Sequence, residues 1–325
     1  MKFEELKKTL RTTKFNNFIL TGDDEFLLDR AYKIILDAYN IEFKDLNLIK
    51  FNNENLDFDQ VVKALQTLPA FSEYKIVFLD LSTKVSKLGN LKILDEYLAD
   101  CNKQSILVVK VGQNESQFAI ENKDKFVIVD CSRLDKSLAK RFVESELGKL
   151  GKSFKDNEAF EVLYNYTNGD LSGAMNEIVK LCNYVGDKTV IGKEDIEAIT
   201  IKNLEFQIFE ITEKLGKKDA KGVYEILEEL KSRKDGLKGI MPLIYNHFRR
   251  LMHISLNAGM SRAQLGNMLG IKEFAVGKIE QQLKYFSKRK LKSVCDACAD
   301  LDYKMKNSMI SGDLAVEMLV LKILS

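Results

Sequence analysis

The sequence predicts a parallel α/β domain followed by an all-helical remainder, an α/β plus all-α chain. Three observations predict it. Apolar runs alternate with helical patterns up to Asp130, the runs Ile76–Leu79 and Ile106–Val109 are continuously apolar, and from Ser137 onward the periodic segments are all helical. Strands separated by helices of roughly 10–15 residues imply right-handed crossover units and a parallel sheet covered on both faces. Strands buried on both faces lose the polar–apolar alternation, which accounts for the two continuous runs.

The elements follow in order. Strands are expected at Asn17–Leu20, Leu46–Phe51, Lys75–Leu79, Ser105–Val111 and Phe126–Val129, with helices at Glu25–Tyr39, Phe58–Thr67 and Leu91–Asp100. A second part, 133–203, reads as helices only, at Ser137–Gly148, Glu158–Tyr166, Leu171–Tyr184 and Lys193–Ala198. Asn168-Gly169-Asp170 punctuates it, and either Asp170 or Ser172 caps the helix that follows. The third part, 204–325, carries apolar residues at i, i+3, i+4 spacing over Glu205–Leu215, Ala220–Ser232, Leu237–Asn257, Ser261–Leu269, Phe274–Lys284, Ser287–Tyr303 and Leu314–Leu324. Boundaries therefore fall near residues 132 and 204, giving domains 1–132, 133–203 and 204–325.

Bulk properties narrow the class. The 325 residues are 45% hydrophobic and 30% charged, ordinary for a soluble globular chain of two or three domains. No apolar run reaches the roughly 18 residues of a membrane span, and Met1–Glu5 does not open a signal peptide, so a cytoplasmic protein without a membrane partner is expected. The 5 cysteines are scattered, and Cys295 and Cys298 lack a second ligand pair nearby, which argues for reduced thiols rather than zinc. A net charge of +2 rules out a polyelectrolyte, although Lys284, Lys288, Arg289, Lys290 and Lys292 concentrate positive charge in one stretch.

The first strand, the turn at Gly22 and the helix after it form the frame of a phosphate-binding loop, but the chemistry is wrong. Such a loop needs further glycines, a lysine for the phosphates and a Ser/Thr for magnesium. This turn reads Gly22-Asp23-Asp24-Glu25, three carboxylates where a triphosphate would sit. Acids suit the start of a helix as caps and dipole partners. The expectation is a domain without a P-loop and without a bound cofactor or metal. His247 and His253 lie six residues apart, a spacing that sends them to different helix faces, and no hydrolase, kinase or metalloprotease pattern occurs. Cys131-Ser132-Arg133 is similar to the tripeptide that carries an arginine finger in some ATPases, but it follows the fifth strand and reads as coincidence. No catalytic residue is expected.

Several segments together carry a family resemblance. Phe18–Leu28 (FILTGDDEFLL), Leu68–Leu79 (LPAFSEYKIVFL), Asn168–Leu181 (NGDLSGAMNEIVKL), Ile208–Leu230, Pro242–Met252 (PLIYNHFRRLM), Gly270–Lys278 (GIKEFAVGK) and Leu301–Lys306 (LDYKMK) occur in order along nearly the whole chain. In this set the chain resembles the delta-subunit family of the bacterial DNA polymerase III clamp loader, the AAA+ relative without a nucleotide site. The resemblance implies an AAA+-like α/β domain, a small helical lid and a C-terminal helical collar. It also implies a non-catalytic subunit of a DNA-directed DNA polymerase (nucleotidyltransferase) assembly. Such a subunit joins the gamma/tau ATPases and delta-prime through its collar, binds and opens the sliding clamp (beta subunit), and works on primer–template DNA.

By the same resemblance the clamp-binding element maps to Leu68, Pro69, Ala70 and Phe71. The family usually has two adjacent bulky apolar residues here, whereas this chain has Ala70 then Phe71. Either Leu68 supplies the missing contact or it belongs to the core, and Phe71 itself reads as an exposed anchor or as a core residue at a loop end. The basic residues Lys284, Lys288, Arg289, Lys290 and Lys292 are candidates for DNA phosphate contacts or form a solvated helix face.

One segment argues for another class. Ser261–Gln281 spaces Leu265, Leu269, Gly270, Ile271, Val276 and Ile279 as a helix-turn-helix does, which makes a sequence-specific DNA-binding protein the alternative. Its recognition helix would present Lys272, Glu273, Phe274, Ala275 and Lys278, with no arginine and a late Gln281 and Gln282 to read base edges. Packing of a helix pair inside a bundle explains the same apolar spacing.

Overall fold

The apolar runs of the N-terminal part pair into a five-stranded sheet of order β2-β3-β4-β1-β5 in a computed structural model. Its strands are β1 (Asn17–Thr21), β2 (Leu48–Phe51), β3 (Lys75–Leu81), β4 (Ser105–Val111) and β5 (Val127–Asp130). Every neighbouring pair is parallel. The structure describes all residues except 53–55, 82–91, 112–122, 233–236, 238 and 272. The chain divides into two units, Met1–Arg141 and Phe142–Ser325.

Helices cover both faces of the sheet, as parallel pairing requires. On one face α4 (Phe58–Gln66) and α5 (Lys92–Ala99) bring Val61, Leu65, Leu94 and Tyr97 onto Ile19, Val77, Leu79, Leu107 and Val109. On the other face Tyr32 and Tyr39 of α2 (Glu25–Tyr39) reach Phe78 and Phe18, at ring separations of 4.4 and 6.3 Å. Strand β4 is buried along its whole length, which is why its sequence shows no alternation.

Two helices of this unit were not expected. The first, α1 (Phe3–Thr12), packs on α2 through a face that buries Phe3, Leu6 and Leu10. The second, α3 (Lys44–Asn47), is a single turn that delays the start of β2 to Leu48, two residues beyond the expected start at Leu46. Leu91, the expected first residue of the third helix, lies outside the described residues, and α5 is described from Lys92.

The second unit is mainly but not wholly helical. Helix α6 (Lys136–Lys149) crosses the division between the units, and α7 (Asn157–Tyr166), α8 (Leu171–Val185) and α9 (Lys193–Ile199) follow it. The helices-only expectation for 133–203 is corrected by a parallel two-residue ladder, β6 (Ser153–Phe154) with β7 (Val190–Ile191). A pairing this short leaves no periodic trace in a sequence. Asp170, not Ser172, caps α8, its carboxylate accepting from the Gly173 N–H at 2.8 Å.

Residues 204–325 contribute α10 (Leu204–Gly216), α11 (Ala220–Lys231), α12 (Met241–Leu256), α13 (Arg262–Leu269), α14 (Glu273–Glu280), α15 (Lys288–Lys306) and α16 (Gly312–Leu324). They share a hydrophobic core that includes Ile211, Leu227, Ile244, Phe248, Leu251, Val294 and Leu319. Among the described residues no helix is long and apolar enough to cross a membrane.

That core holds a polar pair. His247 of α12 donates from Nε2 to the side-chain oxygen of Gln282 at 2.7 Å, and the Gln282 amide donates to the Phe209 carbonyl at 2.9 Å. Burial pushes the His247 imidazole down to about 4, the Gln282 bond opposing and nearby Arg250 adding to the effect. The folded chain therefore stays neutral at His247 where the unfolded chain takes up a proton. Stability from this group is complete above about pH 6.5 and is lost as the pH falls toward 4, at up to about 1.4 kcal/mol per pH unit. Denaturant unfolding at pH 7 and pH 5 should show that loss in the native chain, and His247→Gln should flatten it; an equal pH dependence in both proteins would contradict the assignment.

Candidate functional site

Parallel pairing gives the sheet a C-terminal end, where open α/β folds bind nucleotides, and an N-terminal end. Gly22 sits at the first, directly after β1. Its φ is +149°, and a Cβ added there would lie 2.2 Å from the carbonyl carbon of Cys131. No side chain fits, so glycine is required for this close approach. The Cys131 N–H donates to the Thr21 carbonyl at 2.7 Å, which lays the segment after β5 directly on the turn.

The acids of the turn are engaged with their own chain. Asp24 accepts from the Leu27 N–H at 3.2 Å as the cap of α2. Asp23 accepts from the Arg133 N–H at 2.8 Å and so ties the 131–133 segment down from the other side. Glu25 pairs with Lys110, a nearly buried lysine in β4, at 2.5 Å. Burial alone would depress Lys110, but the Glu25 bond with Asp80 and Asp29 nearby outweighs it and holds the ammonium above its usual range. Cys131 is buried beneath this layer, its thiol pushed up to about 12 by burial and by Asp130, Asp24 and Glu4, which makes it a poor nucleophile. Cys131-Ser132-Arg133 thus acts here as backbone packing.

The N-terminal end carries an apolar surface. Leu68 and Phe71, on the connection from α4 to β3, are 72% and 81% exposed. The structure therefore places both outside the core, and Pro69 and Ala70 between them are partly exposed. Phe43 and Leu46, on the connection from α2 to β2, are 59% and 57% exposed. The two connections meet: the Phe43 and Phe71 rings lie edge to face with centroids 6.0 Å apart. Phe43 and Phe71 both adopt left-handed backbone, φ +45° and +54°. For a bulky residue that conformation costs roughly 1–2 kcal/mol and needs a structural reason.

Buried polar groups supply the reason. Asn47, fully buried, donates from Nδ2 to the Ala70 carbonyl and accepts at Oδ1 from the Ala70 N–H, both at 2.7 Å. Its amide donates also to the Glu42 carbonyl at 2.9 Å, so one side chain bridges the two connections. Ser72 adds a second bridge, accepting from the Glu42 N–H at 3.3 Å and donating to the Tyr74 carbonyl at 2.8 Å. Upstream, the buried Lys75 ammonium donates to the Ala64 carbonyl and to Thr67 Oγ1, closing the C-terminal turn of α4 just before Leu68. Burial lowers Lys75 to about 8. The loop leaves α4 pinned, is held again at Ala70 and at Ser72, and displays Phe71 between these two.

Sequence reasoning singled out Leu68 to Phe71 as the candidate site and did not single out Phe43, Leu46 and Asn47, which the structure brings beside them. Two phenylalanines separated by 28 positions carry no local signal of contact. A signal was nevertheless present in Phe43 and Leu46, apolar residues three apart in an otherwise charged segment.

The basic stretch is less available than its sequence suggests. Lys292 pairs with Asp296 one helical turn on at 2.8 Å, and Lys290 donates to the Lys322 carbonyl at the end of α16. The Lys284 ammonium lies over the Tyr285 ring at 4.9 Å. Lys288 and Arg289 are exposed at the first turn of α15. The helix-turn-helix segment forms two helices, α13 and α14, with Ser261 and Gln264 in a reciprocal cap and Gly270 in left-handed backbone at the turn. Leu265, Val276 and Ile279 are sunk in the 204–325 core, and Arg262 is paired with Glu280 across the two helices at 2.8 Å. Lys272 and the side chain of Phe274 lie outside the described residues.

Comparison with known proteins gives concordant results. The family described as DNA polymerase III, delta subunit, matches residues 18–132, and the family DNA polymerase III delta subunit, C-terminal domain, matches residues 205–323. The chain is similar to DNA polymerase III subunit delta of Bacillus subtilis, 27% identical over 323 residues that cover 94% of this chain and 92% of the relative. It superposes on the B. subtilis DNA clamp loader delta protein with a TM-score of 0.79 over 99% of both chains, at 24% identity. The Thermotoga maritima RuvB Holliday junction branch migration motor superposes over 86% of both chains with a TM-score of 0.42 and 13% identity. Matched at both its parallel-sheet unit and its C-terminal helices, the chain belongs to the delta-subunit family of DNA polymerase III.

Proposed function

We propose that this chain is the non-catalytic, clamp-opening subunit of its clamp loader, and that it grips the sliding clamp through Leu68, Pro69, Ala70 and Phe71. The observation that carries the reading is Phe71, 81% exposed in left-handed backbone on a loop pinned at Asn47 and Lys75. A rigid aromatic presented to solvent from a fixed backbone is the form of a binding hot spot, because little ordering entropy remains to be lost on docking. Leu68 takes the place of the bulky neighbour that Ala70 lacks. Residues 133–203 act as the lid and 204–325 as the collar that joins the gamma/tau ATPases and delta-prime, in the cytoplasm and on primer–template DNA.

The chain needs no nucleotide of its own. Its turn at Gly22 is covered by 131–133 and lined with acids, and two like charges at about 4 Å repel by roughly 1 kcal/mol even in bulk water. Energy for the cycle is then supplied by neighbouring subunits.

Three measurements test this reading. Phe71→Ala should weaken clamp binding by about 2 kcal/mol or more, roughly 30-fold, by calorimetry; full affinity in a folded variant would refute the contact. The purified chain should take up no ATP at millimolar concentration in equilibrium dialysis, and tight uptake would restore an active site at Gly22. In the assembled loader, Lys288→Glu with Arg289→Glu should weaken binding to primed DNA and lower the salt slope by about one to two units; an unchanged slope would remove these two residues from the DNA path.

A further inference from the structure

We propose that Phe43 is a second anchor of the clamp contact and that Asn47 is the positioning residue which presents the two rings as one unit. This inference rests on the clamp-binding reading above and deepens it.

Three observations converge on one place. The first is exposure: Phe43, Leu46, Leu68 and Phe71 are four large apolar side chains, each more than half exposed, on two connections at the same end of the sheet. Scattered surface apolars need no explanation, but exposed rings in mutual contact, as Phe43 and Phe71 are, mark an interaction surface. Exposed Glu42, Lys44, Asp45 and Glu73 flank these residues in sequence, so an apolar centre is set among polar neighbours as at a docking interface.

The second is backbone. Phe43 and Phe71 both hold left-handed conformation, and each ring stands against the other rather than against the core. A loop of incidental conformation would relax out of that state. The third is the pin. Asn47 spends its amide on Ala70 and Glu42, the residues next to Phe71 and Phe43. A single buried side chain thus fixes the chain beside both rings, and a shift at either would break bonds made to the other.

The partner surface this geometry fits is an apolar cleft that admits two rings inclined at 64° to one another. Phe71 alone would require a narrow pocket; the pair requires a wider one, with Phe43 packed along the edge of Phe71. Continuity with the proposed Leu68–Phe71 contact commits this face to the clamp. Anchors that touch one another are also expected to be coupled, so their losses should not multiply.

The test uses the full chain and its cognate sliding clamp in a surface-based affinity measurement, with circular dichroism to verify folding. Phe71→Ala should lose about 30-fold and Phe43→Ala about 5- to 30-fold, with the double variant losing less than the product. Phe43→Ala within twofold of the native chain, while Phe71→Ala loses 30-fold, would overturn the second anchor and leave the clamp reading standing. Native affinity in both folded variants would overturn the clamp reading itself. Self-association that both substitutions abolish, with clamp binding intact, would assign the face to a second copy and overturn both.

Asn47→Asp keeps the acceptor for the Ala70 N–H and removes the two donors. It should weaken clamp binding about 10-fold in the native background, less in the Phe71→Ala background, and not at all once Phe43 and Phe71 are both alanine. A merely structural residue would lower the melting temperature equally in all three backgrounds and leave affinity unchanged, and that result would overturn the positioning role. Phe43 is exposed, so its substitution leaves the core intact and decides the second anchor even if Asn47→Asp fails to fold.

Discussion

Parallel hydrogen bonding makes the two ends of the N-terminal sheet chemically different, and the rest of this unit is arranged around that polarity. At the C-terminal end the strands release helix starts, whose free N–H groups attract anions. Here that attraction is spent internally: Asp24 takes the start of α2, Asp23 takes the Arg133 N–H, and the chain at Cys131 presses on Gly22. At the N-terminal end the incoming connections are free to differ in length and content without disturbing the β1 turn. The exposed aromatic pair sits there.

Closing one end and elaborating the other has consistent energetics. An acid at a helix start contributes roughly 0.3–1 kcal/mol, and a capping side chain about 1 kcal/mol. Two left-handed phenylalanines cost a similar amount or more, and their exposed rings forfeit burial. Asn47 and Lys75 offset part of this with hydrogen bonds in a buried setting, where an unmade bond would be expensive.

The strands and long helices were legible because their signal is local and repeated. Runs such as Ile106–Val109 announce burial on two faces, and α2 follows the same i, i+3, i+4 rule from Glu25 to Tyr39. Helix α1 was not predicted, although its buried Phe3, Leu6 and Leu10 recur at helical spacing. The β6–β7 ladder was not, because two residues establish no period. The candidate site was half legible. Leu68 to Phe71 form one contiguous string, whereas Phe43 and Asn47 join them only through tertiary hydrogen bonds. The basic stretch shows the converse: five like charges in sequence separate once Lys290 turns to α16 and Lys292 to Asp296.

The aromatic pair has a competing explanation, that Phe71 is a core residue displaced for want of space. The surrounding bonds argue against it. A residue excluded from a core would settle in ordinary backbone, since nothing would oppose relaxation of an exposed loop. Phe71 is instead held out of that minimum, with Ala70 bonded at both its N–H and its carbonyl and Ser72 bonded twice on the other side. Fixing both neighbours removes the backbone freedom that would let the ring turn inward. Strain maintained by buried polar groups, rather than relieved by them, is the pattern expected where a surface is preorganised for a partner. The same logic applies at Gly22 with opposite result. There the bonds on either side draw the chain down until no space remains for a side chain.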